Sequence, residues 1–499
     1  MLGCSVRLTN RLRAFLAAST AVPVCACLDT SSAPEPHLPG KSAAMWSENQ
    51  KPASSGWDYG PNGAANSDSM LGGYGLPFSL RSGDTLHLFV MARRPPLSTA
   101  IYRLGWYGGE GARLVAKHSG TLTGDQAPCT QPSAGPILCN WTETDRFIVG
   151  PEWFPGVYFA EFKDAAGSTR SFPFVVRSEV HAAFTVVLPF ATYQAYNGWG
   201  GASLYGGPGA THQESYANRS VKVAFARPLS EVVIQNHFLG VDYPLARWLE
   251  QNAYDVNYIT DYDFHLGVGV DQATRGWLFA GHSEYWTWQM WLRANAARDQ
   301  GINLGFLGGN DIYWLSRFET VSIDGLDAPV LVCYRDATRD PLGTTPGLAT
   351  VLFRSPPNNT SENSLVGVMS SQPSLVKGSP IDLVVDDAAD SLMAGTGLTA
   401  GEHIPRVAGW EADRTIENGF APPGIRVLFH SPFVSAADSL TPGLMESTVY
   451  RWQPSGALVF AGGEPGFSWG LETFRNRIAR PPLQRLLANI LQAFIANRN

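Results

Sequence analysis

Residues 275–314 show a clear alternation of apolar and polar segments within the 499-residue chain. The apolar run at 276–281 predicts a buried strand, and the polar residues at 282–285 predict a tight turn. The segment 286–300 has the length and composition of a helix, and 302–308 is again typical of a strand. The pattern therefore predicts a strand–turn–helix–strand unit.

Both predicted strands of this unit end in polar residues. The first is followed by His282, Ser283, Glu284 and Tyr285, and the second by a turn at Asn310 that is expected to open another helix. Ligands bind beyond the carboxyl ends of parallel strands because the loops diverge there and leave a crevice. We therefore expect a functional site at this edge of the sheet.

The same alternation extends through residues 179–499. It comprises strands at 183–190 and 256–260 and amphipathic helices at 243–252 and 481–498. Strands that alternate with helices at this spacing indicate a parallel sheet covered by helices on both faces. Between about 320 and 460 the pattern is irregular and rich in short strands, which predicts a β-rich insertion.

Residues 71–178 have a different rhythm. Short strand-like runs such as TLHLFVMA and GVYFAEFK recur between glycine-, proline- and asparagine-rich breaks. This is typical of a β-sandwich. The predicted fold class is thus all-β followed by α/β.

The N-terminus indicates export. Residues 1–27 combine a basic start with an apolar segment too short to span a bilayer, which predicts a signal peptide. The end of this segment resembles a bacterial lipobox with Cys27 as the lipidated residue, and an ordinary cleavage site is the alternative. Residues 28–70 are polar and predict a tether. The expected location is the periplasm or the cell surface.

The cysteines and charges add further expectations. Cys129 and Cys139 bracket a short loop and are expected to form a disulfide in an oxidising compartment. Cys333 lies in an apolar run and is expected to be buried. The formal net charge is −7, and no basic cluster suggests a nucleic-acid partner. No later apolar run is long enough to cross a membrane.

Several residues could carry chemistry. Ser283 occupies a strand-to-helix turn, but a nucleophile elbow needs a small residue where Tyr285 stands. Glu284 is expected to be held ionised by the N-terminus of the next helix. Asn310 could donate to an oxyanion and Glu411 could act as a general base, and a cap or turn role is the alternative for each.

The glycine-rich segment 192–206 contains three tyrosines and follows a predicted strand. Burial with a bonded hydroxyl is the structural explanation. The chemical one requires a hard trivalent metal to lower a phenol pKa near 10. Phenolate and carboxylate oxygens together suit ferric iron better than zinc.

The sequence also resembles a known family. The resemblance spans roughly residues 75–495, and its motifs are YRLGWYGGEGARLV, TYQAYNGWGGASLYG, GHSEYW, GGNDIYW and SWGL. This set is similar to the large (β) subunit of N,N-dimethylformamidase and its relatives. The resemblance implies a β-sandwich beside a glutamine-amidotransferase-like (flavodoxin-like) domain. It also implies one ferric ion held by two tyrosines and a glutamate, and hydrolysis of a small-molecule amide.

The resemblance assigns roles by motif. It implies that Glu284 is the carboxylate ligand, with His282 beside it, and that Asn310 and Glu411 are catalytic. By the TYQAYN motif, we expect Tyr196 to be one of the two phenolate ligands. The other phenolate ligand is expected to be Tyr193, Tyr205 or Tyr216, and our choice is Tyr205.

Two features depart from the family pattern. Residue 283 is Ser where relatives often have Asp, and this chain carries an export signal whereas the formamidase is intracellular and works with a small subunit. The site and the substrate need not be inherited together. The sequence leaves open whether the chain forms a homo-oligomer and whether it needs a small subunit.

Two other functions compete with amide hydrolysis. The first is an exported glycan- or ligand-binding protein without catalysis, in which Trp199 and the Trp106-Tyr107 pair would be exposed stacking platforms. The second is a serine hydrolase that uses Ser283.

Overall fold

The computed structural model describes residues 38–58, 70–121, 124–130, 135–206 and 219–497. Strand residues outnumber helical ones, and the sheets are of mixed parallel and antiparallel type. In the described part of the chain, no helix has the length and apolar composition needed to cross a membrane.

Some expectations fall elsewhere. The signal peptide at 1–27, lipidation at Cys27 and a ligand role for Tyr216 lie outside the described residues.

The strands are numbered in chain order. Their bounds are β1 Leu71–Leu76, β2 Ser79–Leu80, β3 Thr85–Ala92, β4 Leu97–Leu104, β5 Ala112–Thr121, β6 Asp145–Ile148, β7 Gly156–Lys163, β8 Thr169–Val176, β9 Phe184–Leu188, β10 Lys222–Ala224, β11 Val256–Thr260, β12 Gly276–Gly281, β13 Tyr285–Thr287, β14 Asn303–Gly308, β15 Trp314–Ile323, β16 Leu326–Val332, β17 Met369–Leu375, β18 Ile381–Val384, β19 His403–Ala408, β20 Glu411–Arg414, β21 Arg426–Val434, β22 Pro442–Arg451 and β23 Leu458–Ala461.

The helices are also numbered in chain order. The α-helices are α1 Ala43–Asn49, α2 Phe190–Tyr196, α3 Tyr243–Gln251, α4 Asp261–Leu266, α5 Trp288–Asp299, α6 Asn363–Val366 and α7 Pro481–Ala496. A π-helix, Val233–Asp242, runs directly into α3. Short 3₁₀ turns lie at Tyr107–Gly109, Ser391–Met393 and Phe467–Gly470.

The strands of the first region form two sheets. A five-stranded sheet has the order β2-β8-β7-β4-β5, and a three-stranded sheet has the order β1-β3-β6. Strand β1 also lies against β7 and β8 of the larger sheet. The predicted strands of this region are therefore confirmed.

A seven-stranded sheet carries the predicted parallel strands. Its order is β11-β9-β12-β14-β23-β22-β21. The first five strands are parallel, whereas β22 and β21 are antiparallel to their neighbours. If the five parallel strands are numbered along the chain, their spatial order is 2-1-3-4-5. Helix α7 packs on β12, so the final amphipathic helix returns to this sheet as predicted.

Two local predictions were wrong. The helix expected from residue 286 begins at Trp288, because the Thr287 side chain accepts from the Met290 amide and caps it there. No helix opens after the second turn, where the chain runs into β15. Asn310 and Ile312 have φ of 53° and 59°, which a right-handed helix cannot contain.

The predicted tether at 28–70 contains a folded segment. Within it, α1 is capped by Ser42, and both Glu48 and Asn49 are buried. The Asn49 side chain donates to Glu250 of α3 at 2.9 Å. This part of the segment is therefore packed onto the fold.

The cysteine predictions hold. Cys129 and Cys139 form a disulfide. Cys333 is free and fully buried. Burial raises the pKa of the Cys333 thiol to about 11, so it is not a thiolate at neutral pH.

Candidate active site

The site lies at the carboxyl ends of three neighbouring parallel strands. Strand β9 leads into α2, which carries Tyr196, and β12 leads into the turn of His282 and Glu284. Strand β14 leads to Asn310. These strands are adjacent in the order β9-β12-β14, so their ends meet at one edge of the sheet.

Glycines at the ends of β12 and β14 allow the two turns to approach. Gly281 and Gly308 are partners across the parallel ladder. A β-carbon on Gly308 would lie 1.4 Å from the Gly281 carbonyl oxygen, and Gly281 itself has φ of 52°. Glycine is thus required at both positions for steric reasons.

Two tyrosine hydroxyls and a carboxylate meet in this crevice. The Tyr205 oxygen lies 2.7 and 2.8 Å from the two oxygens of Glu284 and 2.9 Å from the Tyr196 oxygen. The two tyrosine rings stack with their centroids 4.2 Å apart. Four oxygen atoms of the types that the sequence singled out, from three side chains, therefore form one group.

His282 lies between this group and a second carboxylate. Its Nδ1 lies 2.9 Å from the Gly309 carbonyl oxygen, an acceptor, which places a proton on Nδ1. Its Nε2 lies 3.3 Å from Glu284, 3.3 Å from the Tyr196 oxygen and 3.8 Å from Glu411.

Asn310 and Glu411 are in direct contact. The Asn310 side-chain amide donates to Oε2 of Glu411. The Asn310 backbone N–H donates to Asp413 at 2.8 Å, which fixes the turn. Among the described residues, Oδ1 of Asn310 has no hydrogen-bond partner although it is buried. We call the residues of this site the Glu284 cluster: Tyr196, Tyr205, His282, Glu284, Asn310 and Glu411.

Burial governs the ionisation of the two tyrosines. Desolvation and the Glu284 carboxylate raise the pKa of Tyr196 and of Tyr205 well above the ordinary phenol value. Both side chains are therefore neutral phenols unless a metal ion binds their oxygens.

The acidic and basic groups of the cluster shift one another's pKa values against the effect of burial. Burial alone would raise the pKa of Glu284, but His282 and the Tyr205 hydroxyl lower it below its usual range. Burial would lower the pKa of His282, but Glu411 and Glu284 raise it to about 10. Burial and the charge of Glu284 raise the pKa of Glu411. The three groups thus form one coupled system.

The oxygen donors fit a hard metal ion. Tyr196, Tyr205 and Glu284 place phenol and carboxylate oxygens within hydrogen-bond distance of one another. Such a set matches the preference of ferric iron. In the described ranges, no group of three or more His, Cys, Asp or Glu side chains is arranged to hold a metal.

The other candidate residues lie elsewhere or act differently. The Tyr193 hydroxyl donates to Asp242, away from Glu284. Glu284 is not held by a helix N-terminus as expected, because α5 begins four residues later. Ser283 is buried, and its Oγ accepts from the Trp286 indole at 2.9 Å. This geometry gives no support to a Ser283 nucleophile.

Two of the three aromatic residues predicted as platforms for a glycan are buried. Trp199 is 4% exposed and Tyr107 is 2% exposed, so neither ring can stack on a ligand. The Arg247 guanidinium lies 5.2 Å from the centre of the Trp106 ring. The exposed surface that this alternative needs is therefore absent at Trp199 and Tyr107, and Trp106 is partly exposed.

Three residues beside the Glu284 cluster were not among those predicted from the sequence. His237, on the π-helix, lies 4.9 Å from the Tyr196 ring centre, and Trp410 lies 5.9 Å from that of His282. Arg335 lies over the Tyr205 ring, 3.9 Å from its centre. The position of Trp410 next to Glu411 could have identified it. A π-helix and a long-range arginine have no periodicity that a sequence would reveal.

Comparison with solved structures adds little. The chain is similar to a cycloisomaltooligosaccharide glucanotransferase from Paenibacillus sp., solved with cycloisomaltoheptaose, at 11% identity. The match covers 54% of this chain and 35% of that chain with a TM-score of 0.16, which carries no argument. Curated proteins give no significant match.

A family model gives the decisive comparison. The model described as N,N-dimethylformamidase beta subunit-like, C-terminal, matches residues 98–480, well over half of the chain. This range contains the whole Glu284 cluster. The chain belongs to the N,N-dimethylformamidase beta subunit-like family.

Proposed function

We propose that the chain is a metal-dependent hydrolase that cleaves the carbon–nitrogen bond of a small, non-peptide amide. The observation that carries this proposal is the meeting of Glu284, Tyr205 and Tyr196 beside the Asn310–Glu411 pair. Membership of a dimethylformamidase-like family supports the same reaction class.

Glu411 is the proposed general base. It removes a proton from a water molecule, whose oxygen then bonds to the acyl carbon while the carbon–nitrogen bond breaks. The departing nitrogen takes up a proton, so the products are a carboxylic acid and an amine. Burial beside Glu284 raises the pKa of Glu411, which strengthens it as a base.

Asn310 and His282 are proposed to act on the developing charges. One N–H of Asn310 donates to Glu411, and the second can donate to the oxyanion that forms on the amide oxygen. The Gly309 carbonyl holds His282 in a fixed orientation, with Nε2 directed at the carboxylates. Asn310 and His282 are thereby preorganised.

Tyr196, Tyr205 and Glu284 are the residues that would hold one ferric ion. The chemistry that the ion supplies when bound is polarisation of a carbonyl oxygen as a Lewis acid. The hydroxyl of Tyr205 contacts both other groups, which favours Tyr205 over Tyr193 as the second tyrosine ligand.

The finer architecture and the cellular setting are proposals as well. We infer a β-sandwich at 71–178 and a glutamine-amidotransferase-like, flavodoxin-like domain at 179–499, which the strand order 2-1-3-4-5 supports. We also propose export through the segment 1–27. The Cys129–Cys139 disulfide suits the oxidising compartment that export would reach.

Metal analysis and amine release test the function together. The full chain, expressed with iron supplied, is expected to contain close to one iron per chain and to release amine from small amides such as N,N-dimethylformamide. Glu284→Ala is expected to lose both properties, because it removes the carboxylate ligand.

Glu319→Ala is the matched control. Glu319 pairs with Lys222 and is 46% exposed, so its loss should change neither iron content nor hydrolysis. Full iron content in the folded Glu284→Ala variant would refute the ligand assignment. A well-folded, iron-loaded chain that hydrolyses no small amide would refute the proposed function.

A further inference from the structure

Arg335 is a cation at the edge of the Glu284 cluster. It follows β16, and its guanidinium carbon lies 3.9 Å from the Tyr205 ring centre and 4.8 Å from that of Trp314. Its Nη2 donates to the Tyr285 hydroxyl. The charge of Arg335 also acts on Glu284, where it lowers the pKa of that carboxyl. Arg335 therefore shares one electrostatic environment with the proposed site.

This arginine has no carboxylate partner in the part of the chain that the structure describes. Its Nε is buried and makes no hydrogen bond there. Two arginines of the interior have carboxylate partners: Arg103 contacts Glu250 at 2.8 Å, and Arg317 contacts Asp340 at 2.8 Å. The buried Arg227 has none, but it donates to four carbonyl oxygens. A guanidinium removed from water is unfavourable unless an anion or carbonyl oxygens accept its N–H groups, and among the described residues the Arg335 guanidinium donates only to the Tyr285 hydroxyl.

The backbone of Arg335 is held in an unfavourable conformation. Its φ is 57°, in the left-handed region that a non-glycine residue rarely adopts. The Arg335 amide donates to the Thr350 carbonyl at 2.7 Å, and the Tyr334 amide donates to the Thr350 hydroxyl at 2.8 Å. Strain that the surrounding structure imposes in this way is typical of functional positions.

A second arginine, Arg219, adds positive charge close to Arg335. Arg219 donates from Nη2 to the Tyr334 carbonyl at 2.7 Å. Burial, followed by repulsion from Arg335, lowers the pKa of Arg219, so the two guanidinium groups lie within electrostatic range. Two cations this close together favour an anion beside them.

We propose that the substrate is an amide that also bears a carboxylate, and that Arg335 binds this carboxylate while the amide lies at the Glu284 cluster. The inference rests on the proposed function and narrows its substrate class. A guanidinium presents two parallel N–H groups that match the two oxygens of a carboxylate. Nη2 of Arg335 donates to Tyr285, and the described residues give Nη1 no partner, so the N–H groups of Nη1 remain for a carboxylate. The half-buried rings of Tyr205 and Trp314 hold the fork in place.

The test compares two probes that differ in one charge. N-formylglycine carries an amide and a carboxylate, and N-formylglycinamide replaces the carboxylate with a neutral amide. Binding is measured by titration calorimetry to the iron-loaded full chain with Glu411→Gln, which prevents turnover during the titration. We expect N-formylglycine to bind about 10- to 100-fold more tightly, the range of one charged hydrogen-bonded pair.

Three further substitutions locate the preference. Arg335→Gln should abolish it, and Arg335→Lys should retain part of it because the charge remains without the fork. Arg339→Gln is the matched control, since it removes an exposed arginine from the same segment and should leave the preference intact. Iron content is measured for every variant.

The outcomes separate this proposal from the proposed function. Equal binding of the two probes, absence of N-formylglycine binding, or an equal loss of both probes in Arg335→Gln would overturn the carboxylate site. A retained preference that depends on Arg335, in a parent chain that hydrolyses neither probe, would support the carboxylate site and contradict the hydrolase. Hydrolysis of both probes without a difference in binding would support the hydrolase and contradict the carboxylate site.

Discussion

Two buried clusters in this chain use similar residues for different ends. The Glu250 cluster joins α1, β4 and α3, and its members are Glu48, Asn49, Arg103, Tyr107 and Glu250. Arg103 contacts both oxygens of Glu250 at 2.8 and 2.9 Å. In the Glu284 cluster, as far as the structure describes it, the carboxylates contact tyrosine, histidine and asparagine, and Oδ1 of Asn310 has no partner.

The two clusters differ in how completely their buried carboxylates are neutralised by a guanidinium. A buried carboxylate bound by a guanidinium is neutralised within the fold and has little left to offer a ligand. Glu284 and Glu411 lack such a pair, so their environment favours a further cation or a proton. Tyrosine beside a carboxylate is common to both clusters and does not by itself indicate a site.

Removal of the proposed base should have the largest effect. Glu411→Gln keeps the shape of the side chain but cannot accept a proton from water, so amide hydrolysis should fall by about 10²- to 10⁴-fold. Steady-state amine release measures the change. Iron content and the urea unfolding midpoint should stay at the parental values. A rate within a few-fold of the parent would show that Glu411 is not the base.

The Glu250 cluster should respond in stability instead. Arg103→Met leaves Glu250 buried without its guanidinium, which should reduce the free energy of unfolding by about 3 to 5 kcal/mol. Urea denaturation followed by circular dichroism measures the loss. Arg146→Met is the control, because Arg146 is 64% exposed beside Glu143 and such pairs contribute about 1 kcal/mol or less. Similar losses in both variants would contradict the contrast.

A matched pair of tyrosine substitutions separates metal binding from stability. Tyr107→Phe removes a hydroxyl that donates to Glu48 at 2.7 Å, and it should cost about 1 to 2 kcal/mol without changing iron content. Tyr205→Phe should lower iron content and change the stability of the metal-free chain less. Metal analysis and urea denaturation of both variants make the test. Unchanged iron content in Tyr205→Phe would show that Tyr205 is not the second phenolate ligand.

Ser283→Ala should have the smallest effect. It leaves the Trp286 indole N–H without its acceptor and should cost about 1 kcal/mol. Hydrolysis should continue, because Ser283 takes no part in the proposed chemistry. Strong labelling of the parent by a fluorophosphonate probe, lost in Ser283→Ala, would restore the serine-hydrolase alternative.

Local patterns predicted the parts of the site that depend on strand ends. The alternation around residue 280 places His282, Glu284 and Asn310 at adjacent strand ends, and the structure brings them to one edge of the sheet. Strands β9 and β11 and helices α3 and α7 were predicted for the same reason. Their hydrophobic periodicity is a property of the segment itself.

Other features depend on contacts between residues that are far apart in the sequence. The choice of Tyr205 over Tyr193 follows from how α2 and the next loop fold back on Glu284. Arg335 lies 130 positions from Tyr205 in an irregular region, and its stacking there has no local signal. The partnership of Arg103 with Glu250 spans 147 positions and is equally invisible in the sequence.

The contact between Gly281 and Gly308 has a consequence for how this sequence can vary. A side chain on residue 308 would displace the peptide that precedes His282, and the same shift would move Asn310. One substitution would therefore disturb two functional residues that lie on separate strands. In a saturation mutagenesis experiment, position 308 should score as intolerant as the proposed catalytic residues although it touches no substrate.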